Sequence, residues 1–476
     1  MNDSPGDSRE SSLREIEDLL NRSKQCLGSE PEKGRELSER AIEMARELDA
    51  TRQLGQGLAY LSRALSIMEG TPQAIRLAEQ SVEILSEVGR EDLLAYALNN
   101  LGNCRRRRLQ LVKAMDCYRR ALEAYEELGD SRGVSTVCNN MGIAYSEMSS
   151  YEQSYQAYKR AQKIASEVGY DLGVAIALDN LADLLVDQGD LETAEKYLLE
   201  GLAVNRKVGR KVGIGFCLWG LGKLKHLRGD LEEAERYLKE GISVYRELGG
   251  RGDLLPCLYR LADVLEDQDR PEEAVSVLQE AVEEAEITQM PSLLGRSKAK
   301  LASVRFRMGE LEGVEEELLE AIEVLEGSVR ERKARSRVCK VLSEFYERVG
   351  RLEDALRYHK LESDIDREIL ENERQQDIVK LRLRSEYERS ENERMILRKQ
   401  RSELKRANRK LQEALDKVKT LSGMLPICAR CKKVRKDDGY WEQIERYVTE
   451  HSEAEFSHGL CPDCLKEMYP ELEEKE

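Results

Sequence analysis

Apolar and polar positions follow the spacing of amphipathic helices along most of the chain, and the pattern restarts every forty residues. Stretches such as ALEAYEELG and GISVYRELG close on glycine, so that Gly89, Gly129, Gly169, Gly209 and Gly249 recur at that interval. A second column reads Leu101-Gly102, Met141-Gly142, Leu181-Ala182, Leu221-Gly222, Leu261-Ala262 and Leu301-Ala302. A third holds Ala114, Ser154, Ala194, Ala234 and Ala274, and a fourth Ala121, Ala161, Gly201, Gly241, Ala281 and Ala321. Small residues at fixed offsets let two helices approach closely where their ridges cross. Tyr118, Tyr158, Leu198, Leu238 and Leu278 supply bulk between those contacts. The columns therefore predict a helical repeat array.

These columns resemble the tetratricopeptide repeat, a helix–turn–helix unit with a small residue in the middle of its first helix and two alanines in its second. The resemblance covers residues 13–364, about nine repeats, with degenerate units at both ends. It implies an all-α superhelical solenoid. The period of forty exceeds the usual ~34, and at ~1.5 Å per residue the helices gain up to about 9 Å. This long form is similar to the repeats of kinesin light chains and of bacterial sensory proteins. The turns agree: Gly189-Asp190, Gly229-Asp230 and Gly309-Glu310 put glycine past one helix and an acid at the start of the next.

One stripe on the first helices runs Asn99, Asn139, Asp179, Trp219 and Tyr259, and the next turn gives Asn103, Ile143, Asp183, Lys223 and Asp263. In the family that face lines the concave groove. Paired amides, Asn99-Asn100 and Asn139-Asn140, suit a peptide backbone, which offers a donor and an acceptor at every residue. The expected partner-binding set is therefore Asn99, Asn100, Asn103, Asn139, Asn140, Asp179, Trp219 and Tyr259. The competing reading is that some of these amides only bond neighbouring helices. Arg105 to Arg108 reads as a solvated turn, and His226 and His359 as lone helical histidines.

After Ala355 the repeat stops and the helical pattern continues. Leu404, Leu411, Val418 and Leu425 recur at seven, with Ala407, Ala414 and Leu421 between them. That is the seam of a coiled coil and predicts a parallel homodimer through a stalk over residues 365–422. The stalk resembles the connector of bacterial tetratricopeptide sensors, but no kinase motifs and no GxxxxGK[ST] phosphate loop follow it. Residues 394–419 carry ten Lys or Arg against three acids. This excess suits an anionic partner, nucleic acid among them, although charge on a stalk is usually a solvated face.

Composition changes the picture little. Charged residues make up 35% of the 476 and aromatics 5%, which excludes a membrane protein and disfavours an all-β fold. The formal charge of −16 argues against nucleic-acid binding over the whole surface. Met1–Ser12 is polar, lacks the apolar core of a secretion signal and reads as a disordered tail; most of the eleven cysteines are scattered singly. The expected address is the cytoplasm.

Residues 423–476 carry the one inorganic signal. Cys428-Ala-Arg-Cys431 and Cys461-Pro-Asp-Cys464 are two CxxC pairs separated by twenty-nine residues. Zinc takes four thiolates in a tetrahedron, and one turn presents two of them. The expected cofactor is one structural Zn2+ per chain on Cys428, Cys431, Cys461 and Cys464, with His458 as a further candidate. A redox use of the pairs lacks the βαβ context of thioredoxin-like motifs. The segment, including GYWEQIE and HSEAEFSHG, is similar to a short module ending many bacterial two-component proteins, which implies a signalling context and a small α+β zinc module. In so short a module a metal contribution of ~10–16 kcal/mol would decide folding.

The sequence thus predicts a non-enzymatic interaction scaffold or sensor. A peptide or protein sits in the repeat groove, and the stalk and zinc module serve as output. The rival is a nucleic-acid-binding regulator using the basic stalk and zinc module.

Overall fold

The computed structural model describes residues 5–28, 30–68, 72–249, 251–288, 291–326, 331–419, 426–436, 439–451, 456–457 and 459–469. The chain divides into two compact units, Met1–Tyr387 and Glu388–Glu476. The first is a TPR-like solenoid of paired antiparallel helices. It opens with α1 (Pro5–Cys26), α2 (Pro31–Glu47), α3 (Thr51–Met68), α4 (Pro72–Val88), α5 (Glu91–Arg107) and α6 (Leu111–Glu127). The middle holds α7 (Ser131–Glu147), α8 (Tyr151–Glu167), α9 (Asp171–Gln188), α10 (Leu191–Val208), α11 (Lys211–Arg228) and α12 (Leu231–Leu248). Then come α13 (Arg251–Asp267), α14 (Pro271–Thr288), α15 (Pro291–Arg307), α16 (Val314–Glu326), α17 (Arg332–Arg348) and α18 (Leu352–Lys419). Helix α1 starts at Pro5, so the boundary expected near residue 13 falls inside it.

The columns of small and large residues meet in space. A Cβ added to Gly102 would lie 2.4 Å from the Tyr118 ring, one on Gly142 the same distance from Tyr158, and one on Gly222 2.6 Å from Leu238. Each first helix is thus notched where its partner helix presents a large side chain, and ridge enters groove without a void. Tyr118 and Leu238 are fully buried there. Consecutive helices pack on one another, and first helices touch first helices, as in α3 on α5, α7 on α9 and α11 on α13. Each unit thereby buries its apolar stripe against its neighbours.

The turns follow from backbone chemistry. Gly189 takes φ +79° at the end of α9, a left-handed conformation that costs glycine nothing. The Asp190 N–H then donates to Leu185 O at 3.0 Å, and the Asp190 carboxylate accepts from Thr193 N at 3.1 Å to cap α10.

Helix α18 starts as the partner of α17. Ile365 is buried, and Ser336 on α17 donates to Asp366 at 2.6 Å. Further along, Leu383 and Tyr387 pack on the core around α5 to α7, where Tyr145 and Tyr387 share a hydroxyl hydrogen bond of 2.8 Å. The first unit therefore includes residues 365–387, which the sequence pattern assigns to the stalk.

In the second unit the seam residues Leu404 and Leu411 are exposed in the single chain. Leu421 and Leu425 lie outside the described residues, as does the side chain of Val418. Beyond α18, β1 (Val434–Arg435) pairs antiparallel with β2 (Trp441–Glu442), followed by α19 (Ile444–His451) and α20 (Pro462–Met468). Among the described residues no helix is long and apolar enough to cross a membrane.

Candidate binding groove

The first helices bring the predicted partner-binding residues onto one side of the array, but they use them in two ways. Asn100 is 1% exposed, and its amide nitrogen donates to Ala59 O at 2.8 Å and to Ser62 Oγ at 2.6 Å. Asn99, 3% exposed, accepts from the Asn140 amide at 2.9 Å, and Asn139 accepts from the Asn180 amide at 2.8 Å. Asn103 accepts from the Tyr118 hydroxyl at 2.8 Å. These amides form a ladder that joins successive repeats, each bond satisfying a polar group that burial would otherwise penalise.

Asp179 is also buried, 8% exposed. Its carboxylate accepts from Arg210 at 2.5 Å, Asn205 at 3.0 Å and the Cys217 thiol at 3.3 Å. Burial pushes its carboxyl up, against the pull of Arg210. This set of bonds holds α9, α10 and α11 together and occupies most of the carboxylate's acceptor positions.

Trp219 and Tyr259 behave differently. Both line a cavity of about 520 Å³ built on the faces of α11, α13, α15 and α17. The Tyr259 hydroxyl bonds Ser297 at 2.8 Å while its ring carries the Arg296 guanidinium 5.6 Å from the centroid. The other walls bring Arg260, Arg296, Lys300, Arg307, Arg337 and Lys340 together with two acids, Asp263 and Glu344. Some of that charge is paired: Asp263 takes Lys300 and, at 3.5 Å, Arg260, and Arg307 holds Glu266 at 2.7 Å. Arg296 reaches Glu331 only at 3.9 Å, and Arg337 and Lys340 make no ion pair among the described residues.

The sequence pattern missed these cations, yet it carried a signal for them. Asn100, Asn140 and Asn180 stand in a forty-residue column that continues as Gly220, Arg260 and Lys300. Extended past its amides, that column turns from neutral to basic where the cavity begins.

The cysteine pairs sit in the second unit. A tight turn with Lys432 at φ +57° closes on Cys428, whose N–H donates to Lys433 O at 2.8 Å and whose carbonyl accepts from Lys432 N at 2.9 Å. The backbone N–H groups of Cys431 and Arg430, then the Cys431 thiol, hold the Cys428 thiol below its usual range. Cys461 caps α20, and the Cys464 N–H and thiol act on it in the same direction. Each pair therefore presents two sulfurs on one turn. Among the described residues no three His, Cys, Asp or Glu side chains gather as a metal centre. His458 lies outside the described residues.

Comparison with known proteins fits the solenoid. Residues 131–323 match the family model of the MalT-like TPR region, and residues 93–167 match a tetratricopeptide repeat model. Among solved structures, the signal transduction ATPase with numerous domains from Pyrococcus horikoshii, a protein with a tetratricopeptide repeat sensor, is 15% identical. It superposes with a TM-score of 0.59 over 78% of this chain and 55% of its own. The apo form of RapI is 17% identical at a TM-score of 0.57, over 75% of this chain and 98% of its own. The apo quorum sensor NprR from B. thuringiensis is 16% identical at 0.51, over 74% and 99%. At these identities the likeness is one of fold. No curated protein matches the sequence.

Proposed function

We propose that the protein is a non-catalytic regulatory scaffold that binds a peptide or protein segment on the inner face of its repeats. The observation that carries this reading is the cavity at α11 to α17, where Trp219 and Tyr259 stand beside cations not consumed by the fold. A concave site with aromatic walls and a few convergent polar groups is the usual form of a binding pocket. The regulatory part of the reading draws on the fold neighbours, one a quorum sensor and one carrying a tetratricopeptide repeat sensor. A nucleic-acid regulator using the basic stalk and the zinc module is less favoured, because the cavity and the fold neighbours both speak for the repeats. Selection of displayed random peptides on the full chain tests the groove. Enriched peptides should bind the unaltered chain and lose at least about tenfold in affinity on Trp219→Ala with helicity unchanged, a loss of the size expected when an interface aromatic is truncated. Binding unaffected by Trp219→Ala, or no enrichment, overturns it.

The same proposal assigns the second unit to output. The exposed seam at Leu404 and Leu411 serves as the interface of a parallel homodimer, and Cys428, Cys431, Cys461 and Cys464 close as one structural zinc site. Bound zinc would supply folding energy to a hairpin and two short helices that bury little apolar surface. One zinc per chain by elemental analysis and a dimer mass by light scattering, lowered to a monomer by Leu411→Lys, are the expected results. A metal-free chain overturns the zinc assignment, and a monomer overturns the interface.

A further inference from the structure

We infer that the cavity at α11 to α17 takes an acidic peptide segment, its carboxylates on Arg296, Arg337 and Lys340 and a neighbouring apolar side chain against Trp219 and Tyr259. The inference rests on the groove reading and adds the chemistry of the partner.

Charge complementarity is the first argument. The cavity gathers six basic side chains against two acidic ones in a chain whose formal charge is −16. Elsewhere in the solenoid several cations are paired between repeats: Arg206 meets Glu240, Arg246 meets Glu280 and Arg270 meets Glu235. Inside the cavity Lys300 and Arg307 are paired in the same way, to Asp263 and Glu266. Among the described residues, however, Arg337 and Lys340 on α17 make no ion pair, and Arg296 has only a distant one at 3.9 Å. Arg337 and Lys340, beside the loosely held Arg296, raise the potential of this concavity above that of the acidic surface and focus it there.

The second argument is shape and composition. About 520 Å³ holds a few side chains and not a folded domain. Guanidinium groups present a planar fork that matches a carboxylate, and such charged hydrogen bonds are worth about twice neutral ones. Trp219 and Tyr259 add an apolar wall on which an adjacent aliphatic or aromatic side chain gains contact area. Asp263 and Glu344 interrupt the positive field, which disfavours a continuous polyphosphate and suits spaced carboxylates along a peptide.

The experiment uses the full chain and the peptides selected on it, synthesised in matched pairs with every Asp and Glu either kept or replaced by Asn and Gln. The expected outcome is that selected peptides are rich in Asp and Glu. The acidic member should bind at least about tenfold tighter than its neutral twin, as one charged hydrogen bond is enough to give. That preference should shrink with added salt. It should also vanish in the double variant Arg337→Gln, Lys340→Gln, whose melting temperature stays that of the unaltered chain. Peptides that depend on Trp219 but are neutral or basic overturn the acidic assignment and leave the groove reading standing. Failure to enrich any peptide overturns both. Competition by inorganic polyphosphate at the acidic peptide's own strength overturns the peptide as occupant.

Discussion

The inner face of the solenoid is built differently along its length. From α5 to α9 the polar side chains are bonded to one another across repeats, Asn140 to Asn99, Asn180 to Asn139 and Arg210 to Asp179. From α11 to α17 the same face carries Trp219, Tyr259 and six cations, of which Arg337 and Lys340 make no ion pair among the described residues. The difference teaches that a polar residue on a repeat face says little about binding until its partners are known. A bonded amide stabilises the stack. An unbonded cation beside an aromatic ring has formed no such contact, and a ligand can meet it at low cost.

The strongest way to break this comparison is to attack the bonded half. Asp179→Ala removes three accepted hydrogen bonds and takes from Arg210 its anionic partner, leaving it only the Asn205 side-chain oxygen at 3.0 Å. Losing one member of a buried ion pair costs about 3 kcal/mol or more, and the melting temperature should fall clearly. Asn100→Ala follows at about 1–3 kcal/mol, since it removes two buried hydrogen bonds, to the carbonyl of Ala59 and the hydroxyl of Ser62, and leaves only the bond those two make with each other. Calorimetry that finds both variants as stable as the unaltered chain would show that the ladder is not structural, and the contrast between the two halves would collapse.

Much of the architecture was legible because repetition amplifies it. A single Gly102 says little, but Gly102, Gly142 and Gly222 each facing a large side chain at the same offset define how two helices cross. The positive φ of the glycines at forty-residue spacing was equally readable, since few other residues adopt it without strain. The assignment of the amides was not, because Asn99 has the same formula whether it meets a peptide or Asn140; the deciding fact is a neighbour forty-one residues away. Asp179 was hidden for the same reason, its partners lying on two other helices. The basic column through Arg260 and Lys300 was present in the sequence but sits one position beyond the stripe that drew attention. The contact of Tyr387 with Tyr145 joins residues far apart in the chain and belongs to no period, so no pattern announced it.

The finest test separates spent charge from free charge by pH. Glu235 on α12 accepts from Lys239 at 2.6 Å and from Arg270 at 2.8 Å. Partial burial pushes its carboxyl up, but these hydrogen bonds, with one from Gln268, outweigh burial and hold it at about 2, against an ordinary 4.5. A carboxyl depressed by folding stabilises the folded state above its unfolded value. That stability is complete above pH 4.5 and drains as pH falls toward 2, because the unfolded chain takes up the proton first. Glu235→Gln should therefore lower the melting temperature modestly at neutral pH and flatten its decline across that acid window. Gln at Arg337 and Lys340 should leave both the neutral stability and the acid limb unchanged, since neither makes an ion pair among the described residues. An acid limb that moves with Arg337 and Lys340 but ignores Glu235 would reverse the assignment of spent and free charge.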